Sequence, residues 1–445
     1  MSEKKLKLSK YTRDIIYEDN LIIYNLLNEK KAICNDPSEL EIFNRLKTGE
    51  EINIEEISKE MQVFCTEISI DETKIALGLL QSNFWNKHQI NFIVLPTMNC
   101  MLNCKYCYEE KNNIIIDSNF MDDFYNAIIN YHNENQITSI GIEWYGGEPL
   151  LLYDKIISFT QKLNKFCNEK NIRHTYSMTT NGFLLTYDRA EQLIAEGINS
   201  FQITLDGMSN THDSLRPQKN GTGSWHTITN NLIALKKSTL NFNVMIRVNY
   251  NEEVLIDLPE FHEFILNNFD NRFTIFYHVI SKWGGENDEN LNVIDPGTSQ
   301  YIDNVLVEEA VNSGLKPKMH FDFANNCGRV CYANRPYFYI LSYDRKLRKC
   351  TFTDEKHDCV NVVGNLIPNS FKFDYNKLFN FIIPDYKLMY EKGCFDCSIL
   401  PICQGLTCAL RRVENHCLDC AAEKINIDNI IIQEYRYYRL LKEKT

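Results

Sequence analysis

Short apolar runs and longer amphipathic stretches alternate regularly between residues 91 and 279. The apolar runs predict strands at residues 91–95, 139–145, 174–180, 200–205, 243–250 and 273–279. The stretches between them predict helices at residues 117–131, 151–167, 187–195 and 224–237. Parallel strands joined by helical crossovers form an open sheet or a partial barrel, with chemistry at the carboxyl ends of the strands. The pattern therefore predicts an α/β fold built on a partial (β/α)6 barrel.

Residues 1–88 have a different pattern and are predicted to form a small module. Three short strands are expected within residues 12–34, and helices are expected at residues 36–49, 53–61 and 71–85. Strands followed by three helices make a winged-helix-like unit. One interpretation is a packing or dimerisation domain, and the alternative is an open sheet edge that accepts an extended peptide as an added strand.

Charge and hydropathy exclude two classes of partner. The second and third predicted helices carry Glu55, Glu56, Glu60, Asp71 and Glu72 where phosphate contacts would require Lys or Arg. The net charge of −12 also opposes non-specific binding to nucleic acid. No apolar run approaches the length of a membrane span, and no secretory signal pattern opens the chain. We expect a cytoplasmic protein that binds neither nucleic acid nor membranes.

Three cysteines follow the first predicted barrel strand within eight residues. Cys100, Cys104 and Cys107 are separated by three and then two residues. A loop of this length can bring three sulfurs to one iron-sulfur cube, which leaves one iron for an outside ligand. A zinc knuckle, a disulfide with an odd thiol and buried structural cysteines are the competing interpretations.

A second group of cysteines lies near the carboxyl terminus. Ten of the sixteen cysteines fall between residues 327 and 420, and in a cytosolic chain they indicate metal or redox chemistry rather than a disulfide framework. Two further cubic clusters need up to eight thiolates. The competing interpretation is one structural zinc site formed by Cys394, Cys397, Cys417 and Cys420.

The spacing Cys100-x3-Cys104-x2-Cys107, with Tyr106 before the last cysteine, resembles the signature of radical S-adenosylmethionine (SAM) enzymes. The resemblance implies that the three thiolates hold a [4Fe-4S] cluster whose fourth iron is chelated by SAM, and that Tyr106 contacts adenine. One electron then cleaves SAM to methionine and a 5′-deoxyadenosyl radical, which abstracts hydrogen from the substrate. Polar motifs at the ends of the later predicted strands resemble the family's SAM contacts: Gly146, Gly147, Glu148, Pro149, Thr180, Asn181, Asp206, Arg247 and Asn249. The run from His212 to Pro217 is also similar to this family.

The carboxyl-terminal cysteines resemble the SPASM extension, which carries two auxiliary [4Fe-4S] clusters. The resemblance implies an outer cluster on Cys394, Cys397 and Cys403, completed by Cys420 or Cys417. It implies an inner cluster on Cys331, Cys350 and Cys408, with Cys327 as a candidate fourth ligand. One extra residue before Cys408 and the choice between Cys417 and Cys420 leave open whether the inner cluster has a free iron. The expected domains are residues 1–88 (winged-helix-like), 89–315 (radical SAM barrel) and 316–445 (SPASM).

The resemblance implies a radical SAM oxidoreductase that matures ribosomally made peptides. The amino-terminal module would bind the leader of the precursor peptide, and a flavodoxin or ferredoxin would supply electrons. We expect a crosslink, in the first place a thioether from a Cys sulfur to carbon, while a carbon-carbon crosslink stays an alternative. A sulfatase maturase that oxidises Cys or Ser to formylglycine is a further alternative. In that group an aspartate base follows an inner-cluster cysteine, where this chain has Thr351 with Asp354 displaced nearby.

Overall fold

A computed structural model describes residues 4–109, 113–283, 285, 287–318, 330–353, 355–421 and 423–443. The chain divides into two compact units. The first consists of residues 1–86, 320–336 and 379–445, and the second of residues 87–319 and 337–378. Among the described residues, no helix combines the length and apolar character needed to cross a membrane. The division into three domains at residues 88 and 315 stays a prediction.

The strands, in chain order, are β1 Lys5–Leu8, β2 Thr12–Tyr17, β3 Asn20–Asn25, β4 Lys31–Cys34, β5 Ile52–Asn53, β6 Cys65–Glu67, β7 Gln89–Leu95, β8 Ser139–Trp144, β9 Arg173–Thr180, β10 Ile198–Thr204, β11 Asn243–Tyr250, β12 Phe273–Val279, β13 Phe338–Ser342, β14 Lys346–Arg348, β15 Val362–Ile367 and β16 Ser370–Phe373.

The α-helices follow the same order: α1 Pro37–Lys47, α2 Lys59–Gln62, α3 Glu72–Phe84, α4 Phe120–Asn135, α5 Tyr153–Lys170, α6 Tyr187–Ala195, α7 Ser209–Leu215, α8 Trp225–Lys236, α9 Glu252–Asn268, α10 Pro296–Ser313, α11 Glu355–Asn361, α12 Tyr375–Ile382, α13 Tyr386–Glu391, α14 Leu400–Cys403, α15 Ala409–Asn415 and α16 Glu423–Glu443.

The first unit contains the three antiparallel strands β2, β3 and β4, as predicted, together with the helices α1, α2 and α3. Asp36 caps α1 by accepting hydrogen bonds from the backbone N–H groups of Ser38 and Glu39, and Pro37 opens the helix. Phe43 and Leu46 on α1 are buried in an apolar cluster with strand residues such as Ile23. This packing supplies the apolar burial that a small module needs.

One predicted helix of this module is wrong. Residues 53–61 do not form a continuous helix, because Ile52 pairs with Leu6 on β1 and Ser58 caps the separate short helix α2. A second small sheet, in the order β5-β1-β6, was also missed. Its strands have two to four residues, which is too short to show an alternating pattern.

The second unit contains the predicted barrel strands. β7 to β12 are neighbours in sequential order and all pair in parallel, and at least one helix follows each of them. The six predicted strands and four predicted helices correspond to observed elements, with ends that differ by a few residues. Phe92, Phe124 and Phe159 pack ring to ring between the sheet and the helices α4 and α5.

The sheet continues beyond the predicted barrel. β13 adds in parallel beside β7, and β14, β15 and β16 follow antiparallel, so the sheet has ten strands. The sequence analysis assigned this region to the cysteine-cluster domain and predicted no strands in it, because strands of three to six residues leave only short apolar runs. The consequence is that Cys350 lies just after β14, next to the sheet that carries the first cysteine loop.

Candidate active site and cysteine centres

A cavity of about 310 Å³ lies at the carboxyl ends of the barrel strands. Loops or end residues of all six strands β7 to β12 contribute to its wall, as expected for a sheet of parallel strands. The lining residues with polar or reactive side chains include Cys100, Cys104, Cys107, Tyr106, Tyr108, Glu109, Tyr145, Thr179, Thr180, Asn181, Gln202, Thr204, Arg216, Arg247, Asn249, His278 and Trp283. The three cysteines singled out from the sequence therefore lie in one cavity.

The loop that carries these cysteines is held by its own backbone. The N–H groups of Asn103 and Lys105 donate to the carbonyl oxygens of Pro217 and Leu215 at 2.7 and 2.9 Å. The side-chain amide of Asn181 lies 3.5 Å from the Cys100 sulfur. Burial, followed by the charge of Glu148, raises the pKa of the Cys100 thiol to about 12. Without a bound cation this thiol is protonated, whereas metal binding requires the thiolate.

Gly146 and Gly147 let two chain segments approach closely beneath the cysteine loop. A Cβ atom on Gly147 would lie 2.3 Å from the carbonyl oxygen of Asn99, and one on Gly146 would lie 2.6 Å from that of Thr97. Gly146 also has φ +111°, a backbone conformation that residues other than glycine rarely adopt. The Gly147 N–H donates to the Thr97 carbonyl at 3.0 Å. These contacts require both glycines, and both line the cavity.

Glu148 and Pro149 lie behind the cavity wall. The Glu148 carboxylate is fully buried and accepts hydrogen bonds from the Thr180 hydroxyl at 2.7 Å, the Asn181 N–H at 2.8 Å and the Leu150 N–H at 3.0 Å. Burial raises the pKa of Glu148. Pro149 begins the short 3-10 turn that follows. Glu148 thus fixes the strand end that presents Thr180 and Asn181 to the cavity.

A buried hydrogen-bond network surrounds Tyr106. Its hydroxyl donates to Asp206 and accepts from Arg216 at 2.7 Å and from the Asn249 side chain at 3.0 Å. Burial raises the pKa of Tyr106 well above its usual value, so the phenol stays protonated. Asp206 is itself fully buried behind the wall, and its other oxygen accepts from the Asn249 N–H at 2.7 Å.

Arg216 and Arg247 give this cavity two cations. Arg247 donates to the Asn249 side chain at 2.7 Å. The Nε atom of Arg216 is buried and has no hydrogen-bond partner among the described residues. It is a donor that a bound anionic group can satisfy. Three thiols, two glycines with close backbone packing and this unsatisfied donor fit a site for a cluster and for the carboxylate group of a cofactor such as SAM.

The other part of the cavity is aromatic. Tyr108 stacks on Phe352 with 5.0 Å between ring centroids, and Trp283 lies 6.0 Å from Phe352. The hydroxyl groups of Tyr108 and Tyr145 are 2.8 Å apart. This wall offers apolar surface and neutral hydroxyl groups beside the thiol-lined part.

Sequence reasoning missed several lining residues. Gln202 and Thr204 lie two apart on β10, as Arg247 and Asn249 do on β11, and His278 has the equivalent place near the end of β12. Polar residues at every second position of a strand, with apolar residues between them, were the sequence signal that could have identified these lining residues. Arg216 was noted in a motif without a role. Phe352 carried no sequence signal, because the sheet order that brings it to the cavity was not predicted.

Four carboxyl-terminal cysteines line a second, small cavity in the first unit. They are Cys394, Cys397, Cys403 and Cys420, with Lys392 and Lys424 beside them. Burial raises the pKa of Cys403, and the neighbouring thiols add to this shift. Cys417 does not line this cavity, although the zinc interpretation requires it. In the described part of the chain, no group of three or more His, Cys, Asp or Glu side chains has the spacing for a single metal ion.

The cysteines assigned to an inner cluster are distributed over both units. Cys331 and Cys408 belong to the first unit, Cys350 to the second, and Cys327 lies outside the described residues, as does Asp354. Asn334, which is fully buried, ties the loops of Cys331 and Cys408 together. Its side-chain amide donates to the carbonyl oxygens of Leu406 and Thr407 at 3.1 and 3.0 Å.

Residues 94–265 match the model of the Radical SAM superfamily. The chain contains a radical SAM domain, as its resemblance implied, and such a domain supports binding of SAM and of one [4Fe-4S] cluster. A cysteine-type anaerobic sulfatase-maturating enzyme of Clostridium novyi is 25% identical over 344 residues, which cover 71% of this chain and 87% of that enzyme. The radical SAM cyclopropyl synthase TigE of Paramaledivibacter caminithermalis is 27% identical over 297 residues, 59% of this chain and 53% of that protein.

A solved structure has the same fold. The structure described as native anSMEcpe with bound AdoMet superimposes with a TM-score of 0.59 at 18% identity, covering 79% of this chain and 98% of that one. The predicted fold class is thus confirmed, with a radical SAM domain in a mixed α/β chain. The protein is related to anaerobic sulfatase maturases and to a radical SAM cyclopropyl synthase.

Proposed function

We propose that this protein is a radical SAM enzyme that modifies a ribosomally made precursor peptide. The observation that carries the proposal is one cavity in which three thiols and the polar ends of the barrel strands face an aromatic wall. When bound, the cluster and SAM supply a 5′-deoxyadenosyl radical that removes a hydrogen atom from the substrate. The polar part of the cavity fits the cofactor, and the aromatic part fits a peptide side chain.

The chain's own residues bind and orient these groups. Cys100, Cys104 and Cys107 are the proposed cluster ligands, and Arg216 and Arg247 provide positive charge for the SAM carboxylate. The remaining proposed SAM contacts lining the cavity are Tyr106, Gly146, Gly147, Thr180, Asn181 and Asn249. Glu148, Pro149 and Asp206 act from behind the wall by holding these residues in place.

The carboxyl-terminal cysteines are proposed to hold two auxiliary [4Fe-4S] clusters. Cys394, Cys397, Cys403 and Cys420 form the outer ligand set, because these four thiols line one cavity while Cys417 lies outside it. Cys331, Cys350 and Cys408 remain the proposed inner set, and Cys327 remains a candidate fourth ligand. A flavodoxin or ferredoxin is the proposed reductant, and the strands β2 to β4 are the proposed docking sheet for the leader peptide.

We propose a thioether crosslink as the product. Joining a thiol sulfur to a carbon atom removes two hydrogens from the peptide. One leaves as a hydrogen atom to the 5′-deoxyadenosyl radical, which becomes 5′-deoxyadenosine, the other leaves as a proton, and the remaining electron passes to a one-electron acceptor of the iron-sulfur class. A carbon-carbon crosslink gives the same mass loss, and fragmentation of the product by mass spectrometry distinguishes the two.

Formylglycine formation is the second candidate, because the sulfatase-maturating relative of C. novyi is covered over most of its length. An aspartate base is not available at the residue after Cys350, where Thr351 stands. Burial raises the pKa of Tyr108 well above its usual value, and the hydrogen bonds with Tyr145 and Thr351 offset only part of this rise. The residue after Cys350 therefore offers a neutral hydroxyl group where the resemblance to sulfatase maturases implies a carboxylate base.

The test is an anaerobic assay of reconstituted protein with SAM and dithionite. We expect 5′-deoxyadenosine from the wild type and none from the Cys100→Ala, Cys104→Ala and Cys107→Ala variants. Cys167→Ala is the matched control, because Cys167 is a buried cysteine on α5 that does not line the cavity. Absence of 5′-deoxyadenosine from iron-loaded wild type would refute the enzymatic proposal.

A second experiment tests the peptide substrate. Co-expression with a short Cys-rich peptide encoded by a neighbouring gene should yield a product lighter by two hydrogens. Cys394→Ala should retain SAM cleavage and lose peptide modification, with Cys359→Ala as its matched control. A peptide that gains an aldehyde in place of a crosslink would favour the formylglycine alternative.

A further inference from the structure

Asn361 holds the loop that follows β14. Its side-chain oxygen accepts hydrogen bonds from the N–H groups of Lys349 at 3.1 Å and Cys350 at 2.8 Å. Its side-chain amide donates to the carbonyl oxygens of Cys350 at 3.0 Å and Phe352 at 2.6 Å. Asn361 is fully buried. One side chain therefore bonds four backbone groups: the N–H of Lys349, both polar groups of Cys350 and the carbonyl of Phe352.

The strands explain why this loop needs such a partner. Pairing between β14 and β15 ends at Arg348 and Val362 after a register shift, so the residues that follow Arg348 leave the sheet. The N–H of Lys349 still reaches the Asn361 carbonyl at 3.2 Å, but Cys350 and Phe352 lie beyond the paired part of these strands. Beyond the paired part of the strands, the Asn361 side chain makes four hydrogen bonds to the backbone of this loop. Four is the full number that a side-chain amide can make, because it has two donor and two acceptor sites.

The same loop contributes to the cavity wall. Phe352 lines the cavity and stacks on Tyr108, which directly follows Cys107. The thiol of Cys350 and the ring of Phe352 lie on either side of Thr351, within the segment that Asn361 holds. A displacement of this segment would move both the thiol and the wall.

We propose that Asn361 is a positioning residue that keeps the Cys350 thiol and the cavity-facing Phe352 in one fixed arrangement. The inference rests on the proposed function, in which Cys350 binds the inner auxiliary cluster. Its role is to couple cluster ligation to the shape of the substrate side of the cavity. Asn361 itself is not among the residues that line the cavity.

The test compares wild type with Asn361→Asp and Asn361→Ala. In Asn361→Asp the carboxylate still accepts hydrogen bonds from the N–H groups of Lys349 and Cys350 but cannot donate to the two carbonyl oxygens. In Asn361→Ala all four hydrogen bonds are lost. Asn164→Ala is the control, since Asn164 makes hydrogen bonds with Glu196 and Tyr176 away from the cavity. Alkylation of Cys350 in iron-free full-length protein is measured by peptide mapping, relative to the exposed Cys359 in the same sample.

We expect the Cys350 to Cys359 alkylation ratio to rise in the order wild type, Asn361→Asp, Asn361→Ala, by about tenfold overall, and to stay unchanged in Asn164→Ala. In iron-loaded protein the Asn361→Ala variant should lose the inner-cluster signal in its electron paramagnetic resonance spectrum, whereas Asn164→Ala should retain it. An unchanged ratio in Asn361→Ala would overturn the inference. So would equal increases at Cys350 and the buried Cys167, because these indicate general unfolding.

The two proposals fail separately. If wild type forms no 5′-deoxyadenosine, the proposed function fails, while the graded alkylation of Cys350 still reports on the positioning by Asn361. If 5′-deoxyadenosine forms and the alkylation is insensitive to Asn361, only the positioning role fails.

Discussion

The guanidinium of Arg216 donates a hydrogen bond of 2.7 Å to the hydroxyl of Tyr106, the residue directly before the third cysteine of the central loop. Arg216 is buried and Tyr106 is partly buried, and the Tyr106 hydroxyl in turn donates to Asp206. Arg216 thereby connects the cysteine loop to the end of β10. Arg216 lies between α7 and α8. Its hydrogen bond therefore joins the segment after α7 to the cysteine loop, which lies more than a hundred residues earlier in the chain.

The first prediction concerns this pair. Arg216→Ala should destabilise the fold by about 1.5–3 kcal/mol, because it removes the buried hydrogen bond to Tyr106 and a positive charge near the buried Asp206 carboxylate. Arg216→Lys should retain the charge but not the geometry of the hydrogen bond, and we expect weaker SAM binding by about tenfold. Chemical denaturation and equilibrium dialysis with labelled SAM measure the two effects. Wild-type stability and SAM affinity in Arg216→Ala would contradict the role given to this pair.

Gly147→Ala is predicted to disrupt the first cysteine loop. The new methyl group would lie 2.3 Å from the Asn99 carbonyl oxygen, and backbone on both sides must move to admit it. We expect iron at the first site, and with it 5′-deoxyadenosine formation, to fall below detection. Gly78→Ala on the helix α3 is the matched control, because nothing lies within 4 Å of its new methyl group. That variant should gain about 0.5–1 kcal/mol of stability.

Sequence patterns predicted the six barrel strands and the first cysteine loop because each carries a local signal. The alternation of apolar runs and helices locates the strands, and the spacing of Cys100, Cys104 and Cys107 identifies the loop. The aromatic wall was not predictable in this way. Phe352 reaches the cavity only because β13 pairs with β7, and pairing between strands so distant in sequence leaves no local pattern.

The same distinction applies to residues behind the wall. Glu148 and Asp206 were grouped with the cofactor contacts because they stand in motifs at strand ends. The structure buries both carboxylates beneath the surface that faces the cavity, where they accept hydrogen bonds from Thr180 and Tyr106. Sequence position alone does not distinguish a side chain that faces a ligand from one that supports it. The assignment of these residues to SAM stays a prediction.

Asp303 is predicted to make stability depend on pH. Burial raises the pKa of this carboxyl to about 6, while the Tyr250 hydroxyl donates to it at 2.7 Å. A raised pKa means that the folded state favours the protonated acid, so this contribution to stability is complete below about pH 4 and is lost as pH rises to 6. Asp303→Asn should flatten that part of the pH profile and stabilise the protein at pH 7 by about 1–3 kcal/mol. Thermal unfolding of both proteins between pH 4 and 7 measures the difference, and parallel profiles would contradict the assignment.

The last prediction separates the two candidates for the fourth outer ligand. Cys420 lines the same cavity as Cys394, Cys397 and Cys403, whereas Cys417 does not. Cys420→Ala should therefore lower the iron content by up to about four atoms per chain, and Cys417→Ala should leave it unchanged. Both cysteines are exposed and only three residues apart, so each variant is the control for the other. Iron and sulfide analysis of anaerobically prepared protein measures the loss. Equal iron in the two variants, or loss only in Cys417→Ala, would remove Cys420 from the ligand set.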